Sequence, residues 1–331
     1  LYLTDEKRPR MLRIRPDRTI LYDAELAEPA RTRPFGDLQG RCYVGGETAL
    51  TCLEPDGSVA WTAPYRSNFG MFGVRADQSV LLAHVSELLT DPVEFTLHDR
   101  KGKVLWEHRC ADRPGGFPAS GPDGQVVLTE GNRLVILDSR GQPVGTAKLD
   151  GKAGEPLVTP EGTVLVGTDR GTLYALTLEG TERWRTSLGD PLHRELHLRP
   201  DGSVLTRTLA GDLKVVGPDG SKLWGRHLDN PEFSVVPGRD GSVAALVNHS
   251  RLELIDADGN AAGSFARPIL SVAAVPGGFA ACDYGTVYLL GPGTPPAPGL
   301  PEKPEPAGSV KRVGDWLIVG GVRTPIRRPR F

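Results

Sequence analysis

The segment His193-Arg-Glu-Leu-His197 contains residue types that bind transition metals, namely two imidazoles and a carboxylate. It differs from the helical HExxH motif of zinc proteases, because its neighbours favour a strand. On one face of a strand the two histidines would be ~13 Å apart, too far to share an ion without a bulge. Glu195 and His197 would need a third ligand from elsewhere. We interpret the three residues as a polar rim first and as a metal site second.

Other patterns in the sequence do not indicate a catalytic or metal site. Asp256-Ala-Asp-Gly-Asn260 resembles part of a calcium loop, but it lacks the acidic ligand that follows such loops and therefore favours a turn. The sequence contains no nucleophile elbow, phosphate-binding glycine loop or kinase motif. We therefore predict no catalytic residue, and we expect a protein that is not an enzyme.

The four cysteines are Cys42, Cys52, Cys110 and Cys282, and none of them forms a CxxC pair. Since cysteine often behaves as a small hydrophobic residue, we expect buried free thiols. The alternative is a hairpin in which Cys42 and Cys52 face each other.

These residues lie within a repeated hairpin, seen most clearly from Leu213 to Trp224 as a strand, a Pro-Asp-Gly turn and a second strand. Successive turn glycines are 39, 39, 40 and 39 residues apart, at Gly102, Gly141, Gly180, Gly220 and Gly259. Further copies lie at residues 50–61 and, without the glycine, at residues 11–22. A period near 40 with four strands per repeat is typical of β-propeller blades.

The composition agrees with many short strands joined by turns. The 331 residues include 41 glycines and 29 prolines, and 39% of them are hydrophobic. Charged residues make up 24% with a net charge of −2, which excludes a polyelectrolyte. No apolar run approaches the ~18 residues that a membrane span requires.

We therefore predict an all-β fold: one propeller domain over residues 1–331, built of four-stranded antiparallel blades. We count eight blades, with seven as the alternative. The stretch 291–307, rich in proline and glycine, would be a solvated loop. Residues 308–331 would complete the last blade and supply the strand that the first blade lacks, so that the terminal segments close the ring.

The segment Ala175-Leu-Thr-Leu-Glu-Gly-Thr-Glu-Arg-Trp-Arg-Thr resembles the repeat of the pyrroloquinoline-quinone (PQQ)-like propellers. That repeat has a turn glycine followed four residues later by tryptophan. Trp61, Trp106, Trp184 and Trp224 keep this spacing, whereas Gly145 and Gly263 replace the tryptophan in two hairpins. The resemblance implies that the tryptophans dock between neighbouring blades, where Trp184→Ala would cost ~3–5 kcal/mol.

The family includes quinoprotein dehydrogenases, a scaffold lipoprotein of the bacterial barrel-assembly machinery and sensor domains of kinases. The dehydrogenases have a calcium site, a catalytic aspartate and often adjacent cysteines, which we do not find in this sequence. We therefore expect no cofactor, and PQQ with calcium is the alternative.

Partner binding is predicted where the repeat is interrupted. One candidate is the insertion after His84, with Glu87, Leu88, Leu89 and Asp91. The other is a basic sector formed by the chain ends, in which residues 303–331 carry seven basic against two acidic side chains. Its candidate residues are Arg323, Arg327, Arg328 and Arg330.

We expect a monomeric scaffold or sensor module that binds a protein partner. The alternatives are a quinone-binding, oxidoreductase-like propeller and a module that binds nucleic acid or another polyanion through the basic sector. The sequence starts at Leu1, so an upstream segment is open, and both the cytoplasm and the bacterial envelope fit.

Overall fold

The computed structural model shows a chain built from strands. Every regular element in the described part of the chain is a β-strand. The described residues are 2–4, 8–14, 19–32, 34–37, 39–65, 72–75, 77–85, 93–228, 233–265, 268–275, 277–283, 287–290, 310–313, 316–319 and 322–325.

The first four sheets contain fifteen strands, and sheet 1 has three strands where sheets 2 to 4 have four. In chain order these strands are β1 (Tyr2–Thr4), β2 (Arg10–Ile14), β3 (Ile20–Glu25), β4 (Phe35–Gly36), β5 (Cys42–Gly45), β6 (Ala49–Leu53), β7 (Val59–Pro64), β8 (Phe72–Val74), β9 (Val80–His84), β10 (Glu94–His98), β11 (Val104–Arg109), β12 (Ala119–Ser120), β13 (Val126–Glu130), β14 (Arg133–Leu137) and β15 (Pro143–Lys148).

Sheets 5 to 7 have four strands each, and sheets 8 and 9 have three. Their strands are β16 (Leu157–Val158), β17 (Val164–Gly167), β18 (Thr172–Leu176), β19 (Glu182–Ser187), β20 (Leu192–Leu198), β21 (Val204–Thr208), β22 (Asp212–Val216), β23 (Lys222–His227), β24 (Phe233–Pro237), β25 (Val243–Val247), β26 (Arg251–Ile255), β27 (Ala261–Phe265), β28 (Ser271–Val275), β29 (Gly278–Cys282), β30 (Val287–Leu290), β31 (Val310–Val313), β32 (Trp316–Val319) and β33 (Val322–Pro325).

Sheets 1 to 8 follow the eight predicted repeats in chain order, and each sheet is a meander of consecutive strands. The all-β propeller prediction is therefore confirmed. The C-terminal strands β31 to β33 pair with one another as sheet 9, and β33 contacts β30 of sheet 8. Closure of a ring by the terminal segments stays a prediction.

The repeated hairpin turn has the same construction in the six repeats whose turns the structure describes, from β6–β7 to β26–β27. In the β10–β11 hairpin, Asp99 N donates to Lys103 O at 2.8 Å, and Gly102 N donates to Asp99 O at 2.9 Å. Gly102 has φ +82°, and the strand register shifts next to the turn. This is a type I turn followed by a glycine bulge, a conformation that a residue with a Cβ adopts only at a cost.

The middle strands of sheet 4 are buried on both faces because apolar cores lie between sheets 3 and 4 and between sheets 4 and 5. All five positions of β13 are buried, which explains an unbroken apolar run where a half-exposed strand would alternate. Between sheets 3 and 4, for example, Phe95, Leu97 and Trp106 pack against Val126 and Leu128.

The chain divides into two compact units: residues 1–168 with 174–183, and residues 169–173 with 184–331. Sheets 1 to 4 lie in the first unit and sheets 6 to 9 in the second. Each unit has its own apolar cores between neighbouring sheets. The assignment of residues 1–331 to one domain stays a prediction.

Candidate functional site

Most of the predicted partner-binding residues lie outside the described residues. This applies to Glu87, Leu88, Leu89 and Asp91 in the insertion, and to Arg327, Arg328 and Arg330 near the C-terminus. Arg323 lies within β33, of which the backbone is described. The stretch 291–307 also lies outside the described part.

The four repeat tryptophans lie against the turn glycine of the following sheet. A Cβ at Gly102 would stand 2.8 Å from the ring of Trp61, and one at Gly220 would stand 2.9 Å from the ring of Trp184. A Cβ at Gly141 would stand 2.7 Å from the ring of Trp106, and one at Gly259 would stand 2.7 Å from the ring of Trp224. Three of the indoles also donate Nε1–H to a turn carbonyl: Trp61 to Arg100 O, Trp184 to Pro218 O and Trp224 to Ala257 O, at 3.0, 2.8 and 3.0 Å. We call each such contact a joint.

Two joints depart from the tryptophan pattern in instructive ways. Tyr22 takes the place of tryptophan in the first hairpin, since a Cβ at Gly57 would lie 2.6 Å from its ring. Tyr22 ends the hairpin of residues 11–22, and the spacing of the repeat does not by itself predict this contact. At Gly145 a Cβ would lie 2.6 Å from the backbone of Glu179, so the next turn fills the space that a ring would occupy.

The glycine at position 263 leaves a groove where a tryptophan would stand. The groove has a volume of about 460 Å³ and is lined by Arg226, Arg251, Glu253 and the small residues 261–264. Arg251 and Arg226 pair with the Glu253 carboxylate at 2.9 and 3.9 Å. Ion pairs therefore line this groove.

A buried arginine reinforces the joint of Trp224. Arg199 is 3% exposed and donates Nη2–H to Gly241 O and Ala257 O at 2.8 and 2.7 Å. Its guanidinium carbon stands 5.7 Å from the centre of the Trp224 ring, within cation–π range. Because these carbonyls belong to sheet 7, Arg199 links two sheets of the second unit.

The predicted metal candidates His193, Glu195 and His197 lie on β20, whose pairing with β21 is irregular. Leu192 pairs with Thr208 and Leu196 with Thr206. An advance of four residues along β20 therefore matches an advance of two along β21. The strict alternation that we assumed for this strand is therefore wrong. Burial lowers the pKa of both histidines, and nearby Arg207 lowers it further, which favours neutral imidazoles.

Within the described residues, the side chains that come within metal-ligand distance of one another are a different set, His108, Cys110 and Glu130. His108 and Cys110 lie two residues apart, at and just after the end of β11, and Glu130 ends β13 of the next sheet. His108 Nε2 is 2.8 Å from Glu130 Oε1, and Ala111 N donates to Glu130 Oε2 at 3.3 Å. Burial acts to raise the pKa of Glu130, but these hydrogen bonds outweigh it and the pKa is lowered.

The remaining sequence-level predictions concern cysteines and the Asp256 turn. All four cysteines are free thiols, and Cys42, Cys52 and Cys110 are buried. Tyr43 pairs with Cys52 across the hairpin, so Cys42 and Cys52 point to opposite faces and the alternative of facing cysteines is wrong. Asp256 Oδ1 accepts hydrogen bonds from Asp258 N and Asn260 N at 3.0 and 2.8 Å, as a turn-forming carboxylate does.

The outer strands of sheets 1 to 4 expose apolar side chains at two adjacent positions of the repeat. In sheets 1 to 4 these residues lie at the start of the last strand, two or three positions after the turn glycine or its equivalent. We call them the outer-strand apolar set: Ile20, Leu21, Val59, Val104, Leu105 and Val144. Leu105 is 53% exposed, and each of these strands ends its sheet. The sequence predictions did not include this set, although its place just after the turn recurs in the repeat.

Among the described residues, no helix has the length and apolar character needed to span a bilayer.

Comparison with known proteins gives a family match over part of the chain. Residues 94–235 match the family described as outer membrane protein assembly factor BamB, with PQQ-like repeats. No curated protein matches the chain in sequence.

Two solved structures illustrate the likeness in fold. BamB from Moraxella catarrhalis is 16% identical, with a TM-score of 0.58 over 85% of this chain and 95% of that one. The C-terminal WD40 domain of Sif2 is 12% identical, with a TM-score of 0.65 over 83% of this chain and 87% of that one. At such identities the likeness shows the fold alone. The predicted resemblance to PQQ-like propeller repeats is therefore confirmed, and residues 94–235 carry the family match.

Proposed function

We propose that this protein is a non-enzymatic scaffold that binds protein partners through the outer-strand apolar set of sheets 1 to 4. The observation that carries the proposal is exposure of apolar side chains at two adjacent repeat positions on the outer strands of four consecutive sheets. The name of the matched family, an assembly factor, supports a role in bringing proteins together.

The last strand of a sheet suits partner binding because one edge of its backbone has no neighbour in that sheet. β11 is such a strand, and Val104 and Leu105 extend from it into solvent. An extended segment of a partner would add backbone hydrogen bonds along the edge and cover these side chains. These side chains are between 39% and 57% exposed, so covering one of them stabilises a complex by less than the ~1.5–3 kcal/mol gained by burying a fully exposed side chain.

The residue types at the start of the last strand differ between sheets 1 to 4 and the later sheets. β19 starts with the charged residues Glu182 and Arg183, and β27 starts with Ala261 and Ala262. Leu223 on β23 is 50% exposed, but it follows Lys222. Because the outer-strand apolar set lies in sheets 1 to 4, we assign the partner-binding surface to the outer strands of those sheets.

Site-specific photo-crosslinking in living cells tests the proposal. A photoreactive amino acid at position 105 or 59 should give a discrete protein adduct, and one at position 223 should give none. The adduct at position 59 should weaken when Leu105→Asp is introduced, if one partner spans neighbouring outer strands. Equal labelling at positions 105, 59 and 223, or none at all, would overturn the assignment.

The non-enzymatic part of the proposal has its own test. Purified protein is titrated with PQQ and calcium while absorbance and thermal unfolding are followed. We expect neither a spectral change nor stabilisation. A saturable response would favour the quinone-binding alternative instead.

A further inference from the structure

We propose that His108, Cys110 and Glu130 form a binding site for a thiophilic divalent metal, Zn²⁺ by its ligand types. An imidazole nitrogen, a thiol sulfur and a carboxylate oxygen from these residues all lie within 4.8 Å of one another. The site does not depend on the proposed scaffold function, because none of its residues belongs to the outer-strand apolar set.

The backbone holds the three groups together before any metal arrives. His108 and Cys110 are separated by one residue at the end of an extended strand, so their side chains share a face. Cys110 N donates to Val93 O at 2.9 Å, which fixes the thiol against the core between sheets 3 and 4. Glu130 enters from sheet 4, and Ala111 N positions its second carboxylate oxygen.

Burial makes the group unusual among surface clusters of titratable residues. The side chain of Glu130 is 4% exposed and that of His108 is 19% exposed, while Cys110 is 2% exposed as a residue. A carboxylate in such surroundings requires a positively charged or hydrogen-bonding partner. In the described structure His108 and Ala111 supply that partner, and a metal ion would supply a stronger one.

The ligand types discriminate among metals. Calcium and magnesium select oxygen ligands, whereas zinc accepts thiolate, imidazole and carboxylate at ~2.0–2.3 Å. On binding, the Cys110 sulfur would form a bond to the metal and its proton would pass to solvent. The hydrogen bond between His108 Nε2 and Glu130 Oε1 would open, and the proton would leave Nε2 through solvent while the neutral imidazole carries its proton on Nδ1. Nε2 and the carboxylate oxygen would then both face the ion. The fourth position would be open to water.

Cobalt titration of the reduced, full-length protein tests the site, since Co²⁺ reports thiolate ligation directly by a charge-transfer band in the near ultraviolet. We expect one equivalent of Co²⁺ to produce this band and Zn²⁺ to remove it by competition. Cys110→Ser should abolish the band. Cys282→Ser, which alters a half-buried thiol elsewhere, should leave it unchanged. Absence of the band in the unaltered protein, its persistence in Cys110→Ser, or its loss in Cys282→Ser would overturn the proposal.

A second variant keeps the test valid if Cys110→Ser does not fold. Glu130→Gln preserves the shape of the side chain and removes the charge. Its affinity for Zn²⁺, measured by competition with a chromogenic chelator, should fall at least about tenfold, since even outer-shell changes have effects of that size. Circular dichroism verifies that the variant is folded. An unchanged affinity would contradict the assignment of Glu130 as a ligand.

Discussion

At the turn glycines, two constraints coincide on one residue. Gly102 has φ +82°, which disfavours any side chain, and the ring of Trp61 occupies the space where a Cβ would stand. The sequence signals the first constraint through the turn motif. The second depends on a tryptophan 41 residues earlier in the chain, and it gives the glycine a role in packing as well as in the turn.

Gly277 separates the two constraints, because it has φ +81° with no atom near its Cβ position within 4 Å. We expect Gly277→Ala to cost about 1–2 kcal/mol of unfolding free energy from the backbone alone. Gly102→Ala should cost clearly more, because the ring of Trp61 must also move. Urea unfolding of both variants measures the difference. Equal losses would show that the ring contact at Gly102 contributes nothing.

Trp184→Ala tests the joint from the aromatic side. Trp184 is half-buried and donates to Pro218 O at 2.8 Å, so we expect a loss near the lower end of ~3–5 kcal/mol in urea unfolding. Trp184→Phe keeps a ring but removes the donor, and it should lose only about 1 kcal/mol. A loss below about 1 kcal/mol for the alanine variant would mean that the ring does not support the joint.

At the scale of elements, a hydrogen-bonded pair of aspartate and serine recurs in turns between strands, including two of the repeated hairpin turns. Asp and Ser two residues apart close turns at Asp56, Asp77, Asp201, Asp219 and Asp240. In the last of these, Asp240 Oδ1 accepts from Ser242 N at 3.0 Å and from Ser242 Oγ at 2.5 Å. The hydroxyl bond is the main cause of the lowered pKa of Asp240. These turns therefore require an ionised aspartate for full strength.

The lowered pKa of Asp240 predicts a pH-dependent effect of Ser242→Ala. A carboxyl whose pKa is lower in the folded state stabilises the fold above its unfolded pKa of ~4, and this contribution is lost as the pH falls through the folded value. The gap in urea midpoint between wild type and Ser242→Ala should therefore be larger at pH 6 than at pH 3. In an Asp240→Asn background the gap should not vary with pH. A gap that widens in acid would contradict this assignment.

The hairpins could be predicted from sequence because their determinants are local. The hairpin predicted from Leu213 to Trp224 is formed by β22 and β23, since glycine, aspartate and β-branched residues act on their immediate neighbours. The irregular pairing of β20 was not predictable in this way. It depends on how residues 192–196 fit against β21. The alternation of polar and apolar residues in one strand does not determine its register with the neighbouring strand.

At the scale of the whole molecule, several contacts that the sequence did not predict join different sheets. His108 and Cys110 meet Glu130 across sheets 3 and 4, and Arg199 reaches carbonyls of sheet 7. A period near 40 reveals that sheets repeat, but it does not reveal which side chains face each other between them. The candidate metal site therefore emerged only from three-dimensional placement.

The three buried thiols lie in three different inter-sheet cores. Cys42 lies between sheets 1 and 2, Cys52 between sheets 2 and 3, and Cys110 between sheets 3 and 4. Burial raises the pKa of each thiol to about 12, so each stays protonated at neutral pH. A thiolate is the form that reacts with alkylating reagents.

Alkylation of these cysteines would therefore record the opening of individual cores as a rate. We expect Cys282, which is half-buried, to react first in native buffer, followed much later by the three buried thiols. Mass spectrometry of peptides after timed alkylation would resolve each site. If Gly102→Ala loosens the Trp61 joint, Cys52 in the same core should react faster while Cys42 changes less. The buried cysteines of the first unit thus serve as separate probes of local opening between neighbouring sheets.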